Sequence, residues 1–150
     1  MRPKILVDAD ACPVIDIIIK VAKQFRLETF LFCDTSHNIE RDGAKTIIVA
    51  KGTDATDFTL LNEVTQGDIV ITQDYGLAAL ALVKQAYVMN QNGIEFTPEN
   101  IQQFLELRNM SQKIRKSGGK WKGAKKRKKA DDERFLSHLI KLCKKAINKQ

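Results

Sequence analysis

The sequence has few of the features that mark secreted or membrane proteins. Its three cysteines, Cys12, Cys33 and Cys143, are scattered, and they form neither a disulfide framework nor the closely spaced pairs of zinc sites. No apolar run approaches the roughly 20 residues of a membrane span, and the first residues lack the apolar stretch of a signal peptide. We therefore expect a reduced cytoplasmic protein that does not bind membranes.

The charge of the chain is unevenly distributed. The net charge is +7, but residues 111–150 carry 15 basic and 3 acidic residues, a balance of +12, while residues 1–110 carry a balance of −5. An acidic body joined to a basic tail predicts a polyanionic partner, and nucleic acid is favoured over a membrane surface.

Short apolar runs alternate with segments of helical periodicity. Strands are predicted over residues 5–7, 29–33, 45–50, 68–72 and 87–89, with helices over 13–25, 54–64 and 75–85. This alternation is typical of an α/β fold with three layers, in which helices cover both faces of a mainly parallel central sheet. The 150 residues, 43% of them apolar, make a single domain. It comprises a core over about 4–115, a mobile basic loop over about 115–130 and a C-terminal helix over about 131–148, with a further helix opening at Thr97-Pro98-Glu99.

Two aspartates follow the first predicted strand. Asp8 and Asp10 are two residues apart, so we expect them on the same side of the chain, at the edge of a parallel sheet where ligands bind. Like charges at this spacing repel, and a fold retains them for a cation, a shared proton or hydrogen bonds. The alternative is that Asp10 or Asp16 caps the following helix, which would explain only one of the two carboxylates.

Two further segments bring carboxylates towards the same edge. Asp74 follows the fourth strand, and Asp57 lies in the first turn of the helix after the third strand. A helix cap is the simpler interpretation of Asp74 taken alone, and of Asp54. Carboxylates clustered without cysteine or histidine favour Mg²⁺ or Mn²⁺ over zinc, and these ions support phosphodiester hydrolysis.

Three motifs make the chain recognisable. VDADACPV (7–14), ATDFTLLNEV (55–64) and GDIVITQDYGLA (67–78) resemble the YaiI/YqxD family of uncharacterised bacterial proteins, which is assigned to the PIN-like (NYN-type) nuclease superfamily. The resemblance covers about residues 4–115 and implies a PIN-like fold whose acidic site cuts RNA with Mg²⁺ or Mn²⁺. Its catalytic aspartates correspond to Asp8, Asp10, Asp57 and Asp74. The loop after the core is far more basic here than in relatives.

That basic loop is the expected contact with nucleic acid. Its lysines suit phosphate groups and its tryptophan suits base stacking, a combination used to bind single strands. The alternative is a solvated charge run with the indole folded back onto the core. The candidate contacts are Lys120, Trp121, Lys122, Lys125, Lys126, Arg127, Lys128 and Lys129.

The leading hypothesis is a metal-dependent nuclease that acts on RNA rather than DNA. Asp8 and Asp74 would hold the ion, while Asp10 and Asp57 would bind or orient its water molecules. One alternative is a non-catalytic RNA-binding protein. A second is an aspartyl-phosphate phosphatase with Asp8 as nucleophile, although this chemistry needs a site lysine that the sequence does not clearly supply.

Overall fold

The computed structural model describes residues 2–34, 39–49, 55–116, 118 and 126–149. Six strands and five helices lie in this part of the chain. In sequence order they are β1 (Ile5–Asp8), α1 (Ile15–Phe25), β2 (Thr29–Asp34), β3 (Lys45–Val49), α2 (Ala55–Glu63), β4 (Ile69–Ile71), α3 (Tyr75–Val83), β5 (Tyr87–Met89), β6 (Glu95–Phe96), α4 (Ile101–Lys116) and α5 (Lys129–Asn148).

The strands form one mainly parallel sheet in the order β3-β2-β1-β4-β5-β6. The first five strands run parallel, and β6 pairs antiparallel with β5. On β1, Leu6 lies between Phe30 of β2 and Val70 of β4. The strand order changes direction between β1 and β4. Strands β2 and β3 lie on one side of β1, and β4, β5 and β6 lie on the other. In open α/β sheets a crevice opens at such a reversal, outside the carboxyl ends of the strands.

Two apolar clusters, one on each face of the sheet, confirm the predicted three layers. Alternate residues of β1 supply both clusters, since Ile5 and Val7 point to one face and Leu6 to the other. The first face is covered by α1 and α5, and Phe135 of α5 is fully buried there. Helices α2, α3 and the start of α4 cover the second face. Helices on both faces explain why the central strands are continuously apolar.

Several element boundaries differ from the predictions for local reasons. Helix α3 ends at Val83, two residues early, and Gln85 beyond it takes a left-handed conformation with φ of 65°. Helix α4 extends to Lys116, and α5 begins at Lys129, so both helices enter the region predicted as a loop. Strand β6 is only two residues long, too short for a recognisable pattern. Within the described ranges, no helix is long and apolar enough to cross a membrane.

Candidate active site

Three of the predicted aspartates lie around one cleft at the carboxyl ends of β1 and β4. The cleft has a volume of about 430 Å³, and Asp8, Asp10 and Asp74 all line it. The chain turns sharply where it leaves β1, since Ala11 has a left-handed φ of 60° and the Cys12 amide donates to the Ala9 carbonyl at 3.1 Å. This turn keeps Asp10 at the rim. The other lining residues are Ala11, Gln73, Tyr75, Arg108 and Ser111.

The buried hydroxyl of Thr72 connects the two strand ends. It donates to Oδ2 of Asp8 at 2.9 Å and accepts from the backbone amide of Asp74 at 3.0 Å. Burial raises the pKa of the Asp8 carboxyl above its usual value of 3.8; the Thr72 hydrogen bond opposes this, and the charges of Asp74 and Asp10 raise it further. The folded chain thus holds Asp8 where its negative charge is costly.

Asp74 has two roles. Its Oδ1 accepts a hydrogen bond from the Leu77 amide at 3.1 Å, so it is the N-cap of α3. The cap interpretation is confirmed for this residue, yet its carboxylate also lines the cleft and acts on Asp8. Capping and site formation are therefore compatible, because a carboxylate has two oxygens.

The cap interpretation is wrong for Asp10 and Asp16. Helix α1 has Val14 at its N-cap position, without a side-chain hydrogen bond. Oδ2 of Asp10 instead accepts from the Asp34 amide at the end of β2, at 3.2 Å. Asp16 is exposed and pairs with Arg41 at 3.2 Å. Asp10 is thus fixed against β2 and faces the same cleft as Asp8.

Asp57 lies in the first turn of α2 and is half-buried. Helix α2 packs against the first three strands and against α3. Asp57 is not among the described residues that line the cleft, so its part in the site stays a prediction. Asp54, the predicted cap of this helix, lies outside the described residues.

Of the predicted nucleic-acid contacts in the basic segment, residues 120–129, the structure describes those from residue 126 onwards. Lys120, Trp121, Lys122 and Lys125 lie outside the described residues, whereas Lys126, Lys128 and Lys129 are described and exposed. Their binding to nucleic acid stays a prediction.

Arg127 anchors the start of α5 on the turn after β5. Its guanidinium donates to Asp132 Oδ1 at 2.6 Å, to the Gln91 carbonyl at 2.8 Å and to Asn92 Oδ1 at 3.1 Å. Burial raises the pKa of the Cys12 thiol; among nearby charges, Asp8 raises it further and Arg127 opposes the rise. The raised pKa keeps Cys12 a thiol.

Arg108 of α4 is a cleft residue that the sequence does not predict. The Phe104 ring, one helical turn earlier, packs against Tyr75 at 5.3 Å and against Phe96 at 5.0 Å between centroids. Residues four apart share a helix face, so this anchor brings Arg108 to the cleft. The four-residue spacing shows from the sequence that Phe104 and Arg108 share a helix face. It does not show which element that face packs against, so it does not place Arg108 at the cleft.

The donor set suits a hydrated hard cation. Within the described ranges, no group of three or more His, Cys, Asp or Glu residues is placed to hold a metal ion. Mg²⁺ usually binds one or two carboxylates and keeps several water molecules or substrate phosphates, so it does not require such a group. The crowding of negative charge on Asp8 is a feature that a divalent cation would relieve.

Comparison with known proteins gives a family. The family model described as "Uncharacterized BCR, YaiI/YqxD family" matches residues 6–145. A UPF0178 protein of Exiguobacterium sibiricum is 49% identical over 139 residues, covering 93% of this chain and 95% of the relative. A UPF0178 protein of Clostridium tetani is 46% identical over 143 residues, covering 95% and 98%. No solved structure gives a significant match.

Proposed function

The chain belongs to the YaiI/YqxD family of uncharacterised bacterial proteins, and we propose that it is a metal-dependent nuclease that hydrolyses phosphodiester bonds of RNA. The observation that carries the proposal is the convergence of Asp8, Asp10 and Asp74 on one cleft, with Asp8 held in place despite burial and two neighbouring negative charges. Groups whose pKa is shifted by burial and by neighbouring charges, and which sit in a cleft, are candidates for a functional site.

The roles of Asp8, Asp10 and Asp74 follow from their contacts, and that of Asp57 from its place in the first turn of α2. Asp8 and Asp74 would hold Mg²⁺ or Mn²⁺, because the Thr72 hydroxyl ties both residues together at the two strand ends. Asp10, fixed by the Asp34 amide, and Asp57 would bind or orient its water molecules. When bound, such an ion polarises a phosphoryl oxygen and lowers the pKa of a bound water. The basic segment would attract the phosphate backbone of the substrate.

The phosphatase alternative is less well supported. An aspartyl-phosphate enzyme with Asp8 as nucleophile requires a lysine beside the phosphate, and no described residue that lines the cleft is a lysine. A non-catalytic RNA-binding protein would share the basic segment, and it differs from the nuclease in showing no cleavage.

A cleavage assay with matched variants tests the proposal. Purified protein is incubated with single-stranded RNA and DNA in Mg²⁺, in Mn²⁺ and in EDTA. We expect metal-dependent cleavage that falls at least about 100-fold in Asp8→Asn and Asp74→Asn, because loss of a hydrogen-bond partner of a metal ligand alone typically costs about 10–100-fold. Asparagine keeps the acceptor for Thr72 in the first variant and the cap of α3 in the second, so both variants should fold.

Asp42→Asn is the control, because Asp42 is an exposed aspartate away from the cleft. It should cleave like the natural protein. Cleavage that is equal in Asp8→Asn and Asp42→Asn would indicate a contaminant and contradict the proposal, as would the absence of any cleavage. RNA binding without cleavage would favour the non-catalytic alternative.

A further inference from the structure

We infer that Arg108 is a phosphate-binding residue at one side of the acidic cleft and contacts the phosphodiester backbone of a single-stranded RNA. This inference rests on the proposed function and names a residue that holds the substrate there. A cleft lined by three carboxylates repels a phosphate group, and Arg108 is the one basic side chain among the described lining residues. A guanidinium donates to phosphate oxygens through two parallel hydrogen bonds and keeps its charge at any physiological pH.

The guanidinium lies near the Asp74 carboxylate and forms no ion pair with it. A Cβ placed on Gly76 would be 3.1 Å from Nη1 of Arg108 and 3.2 Å from Oδ1 of Asp74, so both atoms border the same small space. Oδ1 of Asp74 is occupied by the Leu77 amide. In the part of the chain that the structure describes, no ion pair includes Arg108. The side chain is exposed at the mouth of the cleft, where an incoming anion can reach it.

The backbone of α4 holds this arginine in place. The rings of Phe104, Tyr75 and Phe96 all pack against one another, with centroids 5.0 to 5.7 Å apart, which fixes the helix against the start of α3. Ser111, which also lines the cleft, donates its hydroxyl to the Arg108 carbonyl at 2.9 Å. Arg108 is therefore presented from a packed helix, and a phosphate can bind without the cost of ordering a loop.

Gly76 keeps the space beside Arg108 clear. The residue is helical, so alanine fits its backbone and is the better helix former. A methyl group there would press on both the guanidinium and the Asp74 carboxylate. The Gly76→Ala variant thus crowds the space beside the guanidinium and, through Asp74 Oδ1, the cap of α3.

Binding of a short fluorescent single-stranded RNA tests the inference. The Asp8→Asn background keeps the RNA intact in Mg²⁺. We expect Arg108→Ala to raise Kd about tenfold and to reduce the slope of log K against log salt by about 0.7, the value for one phosphate group neutralised on a single strand. Arg108→Lys should restore the slope but only part of the affinity, because lysine keeps the charge and loses the planar fork. Gly76→Ala should also weaken binding, because its methyl group crowds the guanidinium.

Lys113→Ala is the matched control, since Lys113 is exposed on the same helix about 140° around its axis from Arg108. Equal affinities and slopes for Arg108→Ala and Lys113→Ala would overturn the inference. Unchanged RNA binding would also overturn it if Arg108→Ala, made in the natural protein, tightens Mg²⁺ binding, because Arg108 would then only balance the carboxylates. The proposed function fails separately, if the natural protein does not cleave RNA.

Discussion

At the scale of single residues, the negative charge of Asp8 destabilises the folded protein. Its carboxylate is mostly buried, and Asp74 and Asp10 add repulsion that one hydrogen bond from Thr72 only partly offsets. The raised pKa means that the folded protein binds a proton at this site more tightly than the unfolded chain does. Such an arrangement persists where the charge serves a ligand.

The raised pKa of Asp8 predicts that Asp8→Asn is more stable than the natural protein, by an amount that depends on pH. Below the unfolded pKa of 3.8, Asp8 is protonated in both states and the substitution should have little effect. As pH rises through the folded pKa, the natural protein loses stability because the unfolded chain has already released this proton. In EDTA near neutral pH, urea unfolding should therefore give the variant the higher free energy of unfolding.

Added Mg²⁺ should reverse the difference, since a ligand that binds only the folded state stabilises it by mass action. Asp42→Asn serves as the control, with no such pH-dependent gain. An Asp8→Asn protein that is less stable than the natural one at neutral pH without metal would show that the site is not under electrostatic strain.

At the scale of the elements, an ion pair between the buried Asp68 and the partly exposed Lys4 fixes the opposite ends of the two strands that form the site. Asp68 precedes β4, and its carboxylate accepts from the Lys4 amide at 3.1 Å and from the amide and hydroxyl of Thr65 at 2.9 Å each. It also pairs with the Lys4 ammonium. The Ile69 amide donates to the Lys4 carbonyl at 2.9 Å. These bonds set the register of β1 on β4 and hence the position of Asp8 relative to Thr72.

Asp68→Ala should lower the free energy of unfolding by about 3 kcal/mol, because it leaves Lys4 and the Thr65 amide without their partner. Urea unfolding followed by circular dichroism measures the change. The exposed pair of Lys45 and Glu28, 3.6 Å apart, is the comparison. Glu28→Ala should cost less than about 1 kcal/mol, and equal losses in the two variants would contradict this assignment.

The elements also show what the sequence can and cannot predict. Strands such as β1 and β4 were predictable because a buried parallel strand is continuously apolar, and their aspartates follow from the rule that strand ends share an edge. Arg108 was not predictable, because its place depends on how α4 packs through Phe104 on residues far away in sequence. The hydrogen bond from Asp34 to Asp10 likewise depends on tertiary structure.

At the scale of the whole molecule, the chain combines an acidic cleft with a basic tail over residues 111–150. Arg127 ties the tail to the turn after β5, and its charge acts on Cys12 beside the cleft. Under the proposed function, the exposed Lys126, Lys128 and Lys129 beside this anchor would guide RNA towards the carboxylates. Arg127 anchors the tail, and its own contact with RNA stays a prediction.

Replacing Lys120, Lys122, Lys125, Lys126 and Lys128 by glutamine should weaken RNA binding at low salt and flatten its salt dependence. The slope should fall by up to about 0.7 for each phosphate group that the variant no longer neutralises. Fluorescence anisotropy over a salt series measures both quantities. The control replaces Lys20, Lys23 and Lys84, which are exposed outside the tail, and the two slopes are compared per lysine removed. A salt slope unchanged by the tail substitutions and lowered by the control would show that RNA binds another face.

The location of a bound Mn²⁺ ion tests the central claim most directly. Crystals of the protein soaked in Mn²⁺ should give an anomalous difference peak between the carboxylates of Asp8 and Asp74, and the same soak of Asp8→Asn crystals should not. A cleft that stays empty at saturating Mn²⁺, or a peak that is unchanged in the variant, would contradict the account.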